Sequence, residues 1–540
     1  MSKRVADIIV SQLEEIGVKY IFGLPGHTNL DIVDAIRVNG NLDFILFRHE
    51  ETAALAASAY AKLTDQLGVC TSIAGPGATN LLTGLYDAKM DRAPVLALTG
   101  QVESQFIGTH TLQEIDLKAL FESVSYFNKT ITTPQEAAEM VVLAAKNAIL
   151  NRGVSTLSIP TNIQKSPSTS KIIKFSKRIP AYKVKPPGFL INEAVKMIDE
   201  ASKPVIIAGW GSRYSRDLII KLAMKIGAPI ATTFRAKGII SEYHQLSLGV
   251  LGSVGTKMAR ELVNNADLLI VLGSSYSKQT AIPMNIKTIQ IDYDPMNIGK
   301  RFPIELGVYG SVEETLPDII ERVKSRSLGE INNIIGKFKE EWDNLLRKDL
   351  ENDAKPLHPA KILSALNTVA DRHAIISIDV GDNSWWFGRH FKMLDTQRLL
   401  ISGYLGAMGF GFAAGLASQL AYPDKQCIVL TGDGAFSMVM ADFTTAVKYN
   451  LPVKVLVFNN KELSMIRHEQ ADAGLPKFGV ELLNPDFASF ASSCGGLGLI
   501  VREAGDLEDK IVKLLESDKP GVLDIETDPS YYWSLDGVLK

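Results

Sequence analysis

Apolar positions along the chain follow two periods. Val5, Ile8, Ile9, Leu13 and Ile16 recur every three or four residues, the spacing of one helix face. Short unbroken runs follow at Tyr20–Gly23, Asp43–Phe47, Val69–Ile73 and Val95–Leu98. Apolar runs of this length predict strands covered on both faces, as in parallel sheets with helices above and below. The pattern returns at Val205–Ala208, Pro229–Thr232, Leu268–Leu272 and Thr288–Ile291, and again from Ala374–Ile378 to Gly521–Ile525. Two breaks separate these groups. Gln164–Pro187 is rich in Lys, Ser and Pro and has no apolar period, which predicts a linker over the surface. Lys324–Lys355 is charged and predicts a connecting helix. The expected architecture is α/β: three doubly wound parallel-sheet domains, at 1–175, 188–335 and 356–540. A chain of 540 residues is too long for one core. Whether the first and third blocks share one fold is not decided by pattern.

Charge changes this picture little. The 57 basic and 60 acidic residues leave a net charge of -3, so nothing calls for nucleic acid or an anionic membrane as partner. Arg4, Asp7, Glu14 and Glu15 interrupt any signal-like run at the N-terminus. Leu399–Tyr422 carries no formal charge and is long enough to span a bilayer. Gly403, Gly406, Gly409, Gly411 and Gly415, with Ser402 and Gln419, make it a buried loop and helix instead, so no integral membrane segment is expected. The tail Pro529–Lys540 is short and lacks a basic amphipathic face. Cys70, Cys427 and Cys494 are too scattered for a disulfide framework or a metal cluster, which points to a reducing cytoplasm.

The densest chemistry lies in Cys427–Asn460. A strand stops at Gly432-Asp433-Gly434-Ala435, a helix is expected over Phe436–Tyr449, and a second strand, Val453–Phe458, ends at Asn459-Asn460. Parallel strands end on one sheet edge, so Asp433 and Asn460 can converge there. A carboxylate and an amide oxygen are hard ligands suited to magnesium, and Gly432 and Gly434 let backbone approach a phosphate. The segment resembles the thiamine diphosphate signature, a Gly-Asp-Gly followed some two dozen residues later by Asn-Asn. The resemblance covers essentially the whole chain, and it implies Asp433, the Asn460 side chain and the Glu462 main-chain oxygen as Mg2+ ligands.

Further segments extend the resemblance. Arg48-His49-Glu50-Glu51-Thr52 matches the family's activating glutamate at Glu50, which would protonate the cofactor's pyrimidine so that its amino group can take the C2 proton. Gly23-Leu24-Pro25-Gly26 and Gly75-Pro76-Gly77-Ala78-Thr79-Asn80 resemble its pyrimidine-side loops, implying contact at Pro25. Gly406-Ala407-Met408-Gly409-Phe410-Gly411 resembles the segment that folds the two cofactor rings together, with Met408 as the wedge. Asp379-Val380-Gly381-Asp382 resembles a second diphosphate-side loop.

In the middle block, Gly209-Trp210-Gly211-Ser212-Arg213 alone is a weak dinucleotide signal. Leu251, Gly252, Ser253 and Val254, then Ser274, Ser275, Tyr276, Ser277 and Lys278, then Asp292, sit where flavin-binding members hold FAD. Two such families compete, pyruvate oxidases and acetolactate synthases. Synthases typically carry tryptophan where this chain has Glu469, and oxidases carry glutamate. The resemblance therefore implies oxidative decarboxylation of pyruvate, through a thiamine diphosphate enamine that passes electrons to FAD. Carboligation of two 2-oxo acids and non-oxidative decarboxylation are the alternatives. Gln113 is implied as a catalytic residue, with Leu112 and Met465 in the substrate pocket. Leu112, Met465, Ser464, where glycine is usual, and His27 depart from or blur the oxidase pattern. The family also implies a homodimer or homotetramer whose cofactor sites lie between subunits.

Overall fold

A computed structural model describes residues 3–531. Its eighteen strands form three six-stranded, wholly parallel sheets. The first contains β1 (Tyr20–Gly23), β2 (Asp43–Leu46), β3 (Gly68–Ser72), β4 (Val95–Gln101), β5 (Ser125–Thr130) and β6 (Val154–Pro160). The second contains β7 (Pro204–Ala208), β8 (Ile230–Thr232), β9 (Ser247–Val250), β10 (Leu268–Leu272), β11 (Lys287–Asp292) and β12 (Leu306–Tyr309). The third contains β13 (Ile375–Ile378), β14 (Arg398–Ile401), β15 (Cys427–Gly432), β16 (Lys454–Asn459), β17 (Leu497–Val501) and β18 (Gly521–Glu526).

Strand order answers the question left open by patterning. The first sheet runs β2-β1-β3-β4-β6-β5 and the third β14-β13-β15-β16-β18-β17, the same permutation. The second runs β12-β11-β10-β7-β8-β9, the 6-5-4-1-2-3 order of dinucleotide-binding sheets.

The first and third sheets also share one hydrophobic core. Helix Glu50–Thr64, rich in alanine, packs on helix Phe410–Ala421, and both are buried along most of their length. Small side chains let the two backbones approach, and Phe410, Phe412, Phe436 and Phe443 fill the surrounding space. Each such phenylalanine contributes about 1.5–3 kcal/mol of burial. The chargeless run Leu399–Tyr422 is therefore strand, loop and buried helix; among the described residues no helix is long and apolar enough to cross a membrane. Part of the tail Pro529–Lys540 lies outside the described residues.

Two expectations need correction. Gln164–Pro187 does not simply run over the surface. Gln164 is fully buried, the Gln12 side chain bonds both backbone groups of Ile173 at 2.8 Å, and Phe175 packs into the core. Isolated apolar residues at Ile173 and Phe175 suffice to dock a segment that has no period. The helix expected over Phe436–Tyr449 is interrupted: Asp433–Val439 and Phe443–Lys448 flank a tight turn at Met440–Asp442. The break lets the Asp442 carboxylate accept from the Arg48 backbone at 2.6 Å, while Tyr449 bonds the backbone of Phe44 and Leu46. The third sheet's helices are thereby tied to the first sheet beside Glu50. The charged stretch after Lys324 contains the expected helix, Gly329–Leu350, anchored by buried Trp342 and Leu346.

Candidate active site

Parallel sheets bind ligands at the carboxyl ends of strands, where the strand order reverses. In the third sheet the reversal lies between β13 and β15. The loop Asp379–Asp382 follows β13, and Asp433 follows β15. Together with the loop after β16 they enclose a cavity of about 260 Å3. It is lined by Val380, Gly381, Gly406, Met408, Gly432, Asp433, Gly434, Ala435, Asn460, Glu462 and Met465, eleven of the residues singled out from sequence. Ala407 lies buried behind it, its amide bonded to Ser402 at 3.0 Å, and does not line it.

Local geometry explains the glycines. Gly381 has φ +140°, accessible only without a side chain, and a Cβ on Gly432 would project into open space. Asp433 accepts from Gly434 at 3.0 Å, from the Lys461 backbone at 2.7 Å and from Asn484 at 2.6 Å. Burial pushes Asp433 up to about 6, against these bonds, which favour its charged form. Asn484, which also bonds Asn459 at 2.9 Å, escaped the sequence reading because a loop asparagine belongs to no recognisable spacing. Asp379 also went unassigned. It is fully buried and accepts from the backbones of Val380, Gly409 and Gly411, locking the loop after β13 to the segment that carries Met408. Burial raises Asp379 to about 6, opposed by those three amides. Asp382 is likewise raised to about 6 by burial, against a hydrogen bond from Ser464.

The reversal in the first sheet lies between β1 and β3. Glu50, 5% exposed, opens helix Glu50–Thr64, and its Oε2 accepts from Asn80 at 3.0 Å. A Cβ on Gly77 would come within 3.0 Å of Glu50 Oε1, and one on Gly75 within 2.9 Å of the Gln113 carbonyl. Glu50, Gly75, Gly77, Asn80 and Gln113 thus form one group. Pro25 and His27 are exposed on the loop after β1, and Leu112 is 80% exposed. None of these residues lines the Asp433 cavity. Glu469 is also outside that lining and exposed, one helical turn beyond Met465.

The middle sheet reverses between β7 and β10. The loops after these strands approach so closely that a Cβ on Gly209 or Gly211 would strike Gly273. They open on a cavity of about 690 Å3, within the range of small-molecule sites. Gly211, Leu251, Ser253, Val254, Ser274, Ser275, Ser277 and Asp292 line it. Three residues expected here do not. Gly252, at φ +114°, packs against the backbone of Gln279. Tyr276 is buried in the middle core, its ring edge-on to Phe302. Lys278 is exposed. The larger surprise is charge: Lys62, Lys89, Arg92, Arg152, Arg213, Arg235 and Lys300 line the cavity, against Asp65, Asp91 and Asp292. These cations come from separate parts of the chain, so no local motif announces them.

Three doubly wound sheets, each with its glycine-rich loops gathered at the reversal of strand order, define an α/β enzyme built to hold cofactors. Family models agree part by part. The thiamine pyrophosphate enzyme N-terminal TPP-binding domain matches residues 3–120, the central domain 191–319 and the C-terminal TPP-binding domain 379–525. A thiamine pyrophosphate-containing protein assigned in Bacillus subtilis is 38% identical over 532 residues, spanning 97% of this chain and 91% of its own. An assigned acetolactate synthase large subunit of Methanocaldococcus jannaschii is 34% identical, spanning 97% and 92%. Pyruvate oxidase of Lactiplantibacillus plantarum is 31% identical, spanning 96% and 87%. The chain belongs to the thiamine pyrophosphate enzyme family.

Proposed function

We propose that this chain catalyses the oxidative decarboxylation of pyruvate, with thiamine diphosphate and Mg2+ in the smaller cavity and FAD in the larger. The supporting observation is that the two cavities share Val380 and Gly406 in their walls. A redox cofactor in one would therefore lie beside the reacting centre in the other.

The residues fit these groups. The smaller cavity is lined by Asp382, Asp433, Glu462 and Asp528 and by no Lys, Arg or His, so an anionic diphosphate there needs a cation. Among the described residues no three carboxylate, histidine or cysteine groups gather to hold a metal alone. Asp433, Asn460 and the Glu462 carbonyl would supply part of a magnesium shell, and phosphate oxygens and water the rest. In the larger cavity the seven cations suit an anionic dinucleotide, and Asp292, 2% exposed at the end of β11, suits its hydroxyl groups.

Bound thiamine diphosphate supplies an electron sink for the carboxylate-bearing carbon, and FAD a two-electron acceptor. The protein's part is to hold Glu50 against the pyrimidine, to place Met408 between the cofactor rings, and to position substrate with Gln113. Leu112, Met465 and Glu469 would shape the substrate side. Because the Glu50 group does not line the Asp433 cavity, a second copy of the chain is read as supplying it, making a dimer the minimum active unit and a dimer of dimers the expected assembly. The three sheets are read as domains at 1–175, 188–335 and 356–540. Three unpaired cysteines suit a cytoplasmic enzyme.

A second reading, carboligation of two 2-oxo acids, is favoured by similarity to acetolactate synthases. Glu469 favours the oxidase. The test is purified enzyme, reconstituted with thiamine diphosphate, Mg2+ and FAD, given pyruvate without oxygen. An oxidase bleaches its flavin; a flavin that stays oxidised while acetolactate accumulates establishes the carboligase. Failure to take up flavin at all would leave simple decarboxylation or flavin-free carboligation.

A further inference from the structure

Ser464 stands where the resemblance implies glycine, and in the structure its hydroxyl is not idle. It is 4% exposed at the start of helix Ser464–Asp472. Its Oγ accepts from Asn460 Nδ2 at 2.8 Å and donates to Asp382 Oδ2. Asn460 Oδ1 in turn accepts from the Glu462 amide at 3.0 Å. The two loops joined by this chain of bonds follow β13 and β16, and Asp382, Asn460, Glu462 and Ser464 all line the smaller cavity.

Hydrogen-bond polarity gives the chain a direction. An ionised carboxylate only accepts, so the Ser464 hydroxyl must donate to Asp382. Its oxygen is then left as an acceptor, which the Asn460 amide can satisfy only with its nitrogen. Asn460 is thereby held with Oδ1 turned away from Ser464. With glycine at 464, the orientation of the amide would rest on the Glu462 backbone donor alone. Asp382 has a second oddity: its Oδ1 is buried without a hydrogen-bond partner among the described residues. Leaving a buried carboxylate oxygen unsatisfied is unfavourable, a cost explained if the loaded site provides a donor such as metal-bound water.

We propose that Asp382 and Ser464 are positioning residues of the metal site, fixing the orientation of the Asn460 amide so that its oxygen is presented to the divalent cation. The proposal rests on the reading of Asn460 as a magnesium ligand. It makes the serine and the aspartate a matched pair, joined to Asn460 by a directed hydrogen-bond chain.

The test is Mg2+ binding, measured on protein stripped with a chelator and titrated with MgCl2 at fixed thiamine diphosphate, by calorimetry and by fluorescence of Trp386, which lines the cavity. Ser464→Gly and Ser464→Ala should each weaken Mg2+ about tenfold, the usual scale for losing a residue that orients a metal ligand. Ser464→Thr, which keeps the hydroxyl, should restore most of that loss. Asp382→Leu should resemble Ser464→Gly, and the double variant should be little worse than either, because both cut one chain. Circular dichroism checks that each variant is folded, with Ser464→Ala as the milder replacement. Mg2+ affinity within twofold of wild type in Ser464→Gly and Ser464→Ala overturns the proposal. Asp433→Asn separates the two readings. Lost Mg2+ binding there, with normal binding in the Ser464 variants, sinks the positioning role alone; normal binding in Asp433→Asn sinks the metal site and the proposal with it.

Discussion

Glu50 and Gly77 show how tightly single residues are constrained at the first sheet's edge. The Glu50 carboxyl is held by Asn80 and has no room for a side chain at Gly77, where a Cβ would also meet Ile73 at 2.8 Å. Glu50→Gln keeps the size and the Asn80 contact but removes the acid. It should still bind thiamine diphosphate while exchanging the cofactor's C2 proton at least a hundredfold more slowly, the lower end of what a positioned acid contributes; wild-type exchange by NMR would refute the role. Gly77→Ala should displace Glu50 and slow exchange in the same assay, since the new Cβ would press on Ile73 Cγ1 at 2.8 Å and on Glu50 Oε1 at 3.0 Å. Glu50 and Asp433 were legible in sequence because motif spacing marks them. Asn484 and Asp379 were not, because they bond residues distant in the chain, and neither were the seven cations of the larger cavity, which come from separate segments.

At the scale of elements, helix Pro359–Val369 carries a pH-sensitive start. His358 caps it, Nδ1 accepting from the Ala360 amide at 3.2 Å, and lies 4.0 Å from Asp349. Burial, only partly offset by Asp349, lowers His358 to about 4. The unfolded chain takes up a proton near pH 6.5 that the folded one refuses, so stability from this group is complete above pH 6.5 and is lost as pH falls toward 4. Protonation also removes the cap acceptor, worth about 1 kcal/mol. His358→Asn keeps an acceptor that does not titrate, and its melting temperature should fall less between pH 7 and 4.5 than that of wild type. Parallel slopes would dismiss the idea. Most elements were visible in the apolar runs. The interruption at Met440–Asp442 was not, because the bond it allows, from the Arg48 backbone to Asp442, joins segments far apart in the chain.

For the molecule as a whole, one buried charge group joins the three sheets. Lys62 contacts Asp87 at 2.7 Å and Asp91 at 2.6 Å, Asp91 meets Arg235 of the middle sheet's loops at 3.4 Å, and Asp91 accepts from the Gly403 backbone at 2.9 Å. Lys62→Met would leave two buried carboxylates short of a counter-charge and should cost about 3–5 kcal/mol, read from denaturant unfolding. A loss under 1 kcal/mol would show the group to be dispensable. Assembly gives the other prediction at this scale. If Glu50 and Asp433 serve one cofactor from different chains, mixing inactive Glu50→Gln and Asp433→Asn subunits should regenerate about a quarter of the wild-type sites through mixed dimers. No recovery after unfolding and joint refolding would argue for sites within one chain.

Sequence by itself determined the α/β class, three blocks of parallel strands and the loops Gly432–Ala435, Asn459-Asn460 and Gly75–Asn80, since apolar period and glycine spacing are local properties. Tertiary structure alone decided that the first and third sheets share a strand order and a core, that two cavities meet at Val380 and Gly406, and that Ser464 joins Asn460 to Asp382. Those facts depend on which strand ends, loops and side chains meet in three dimensions, and such meetings leave no period in the chain.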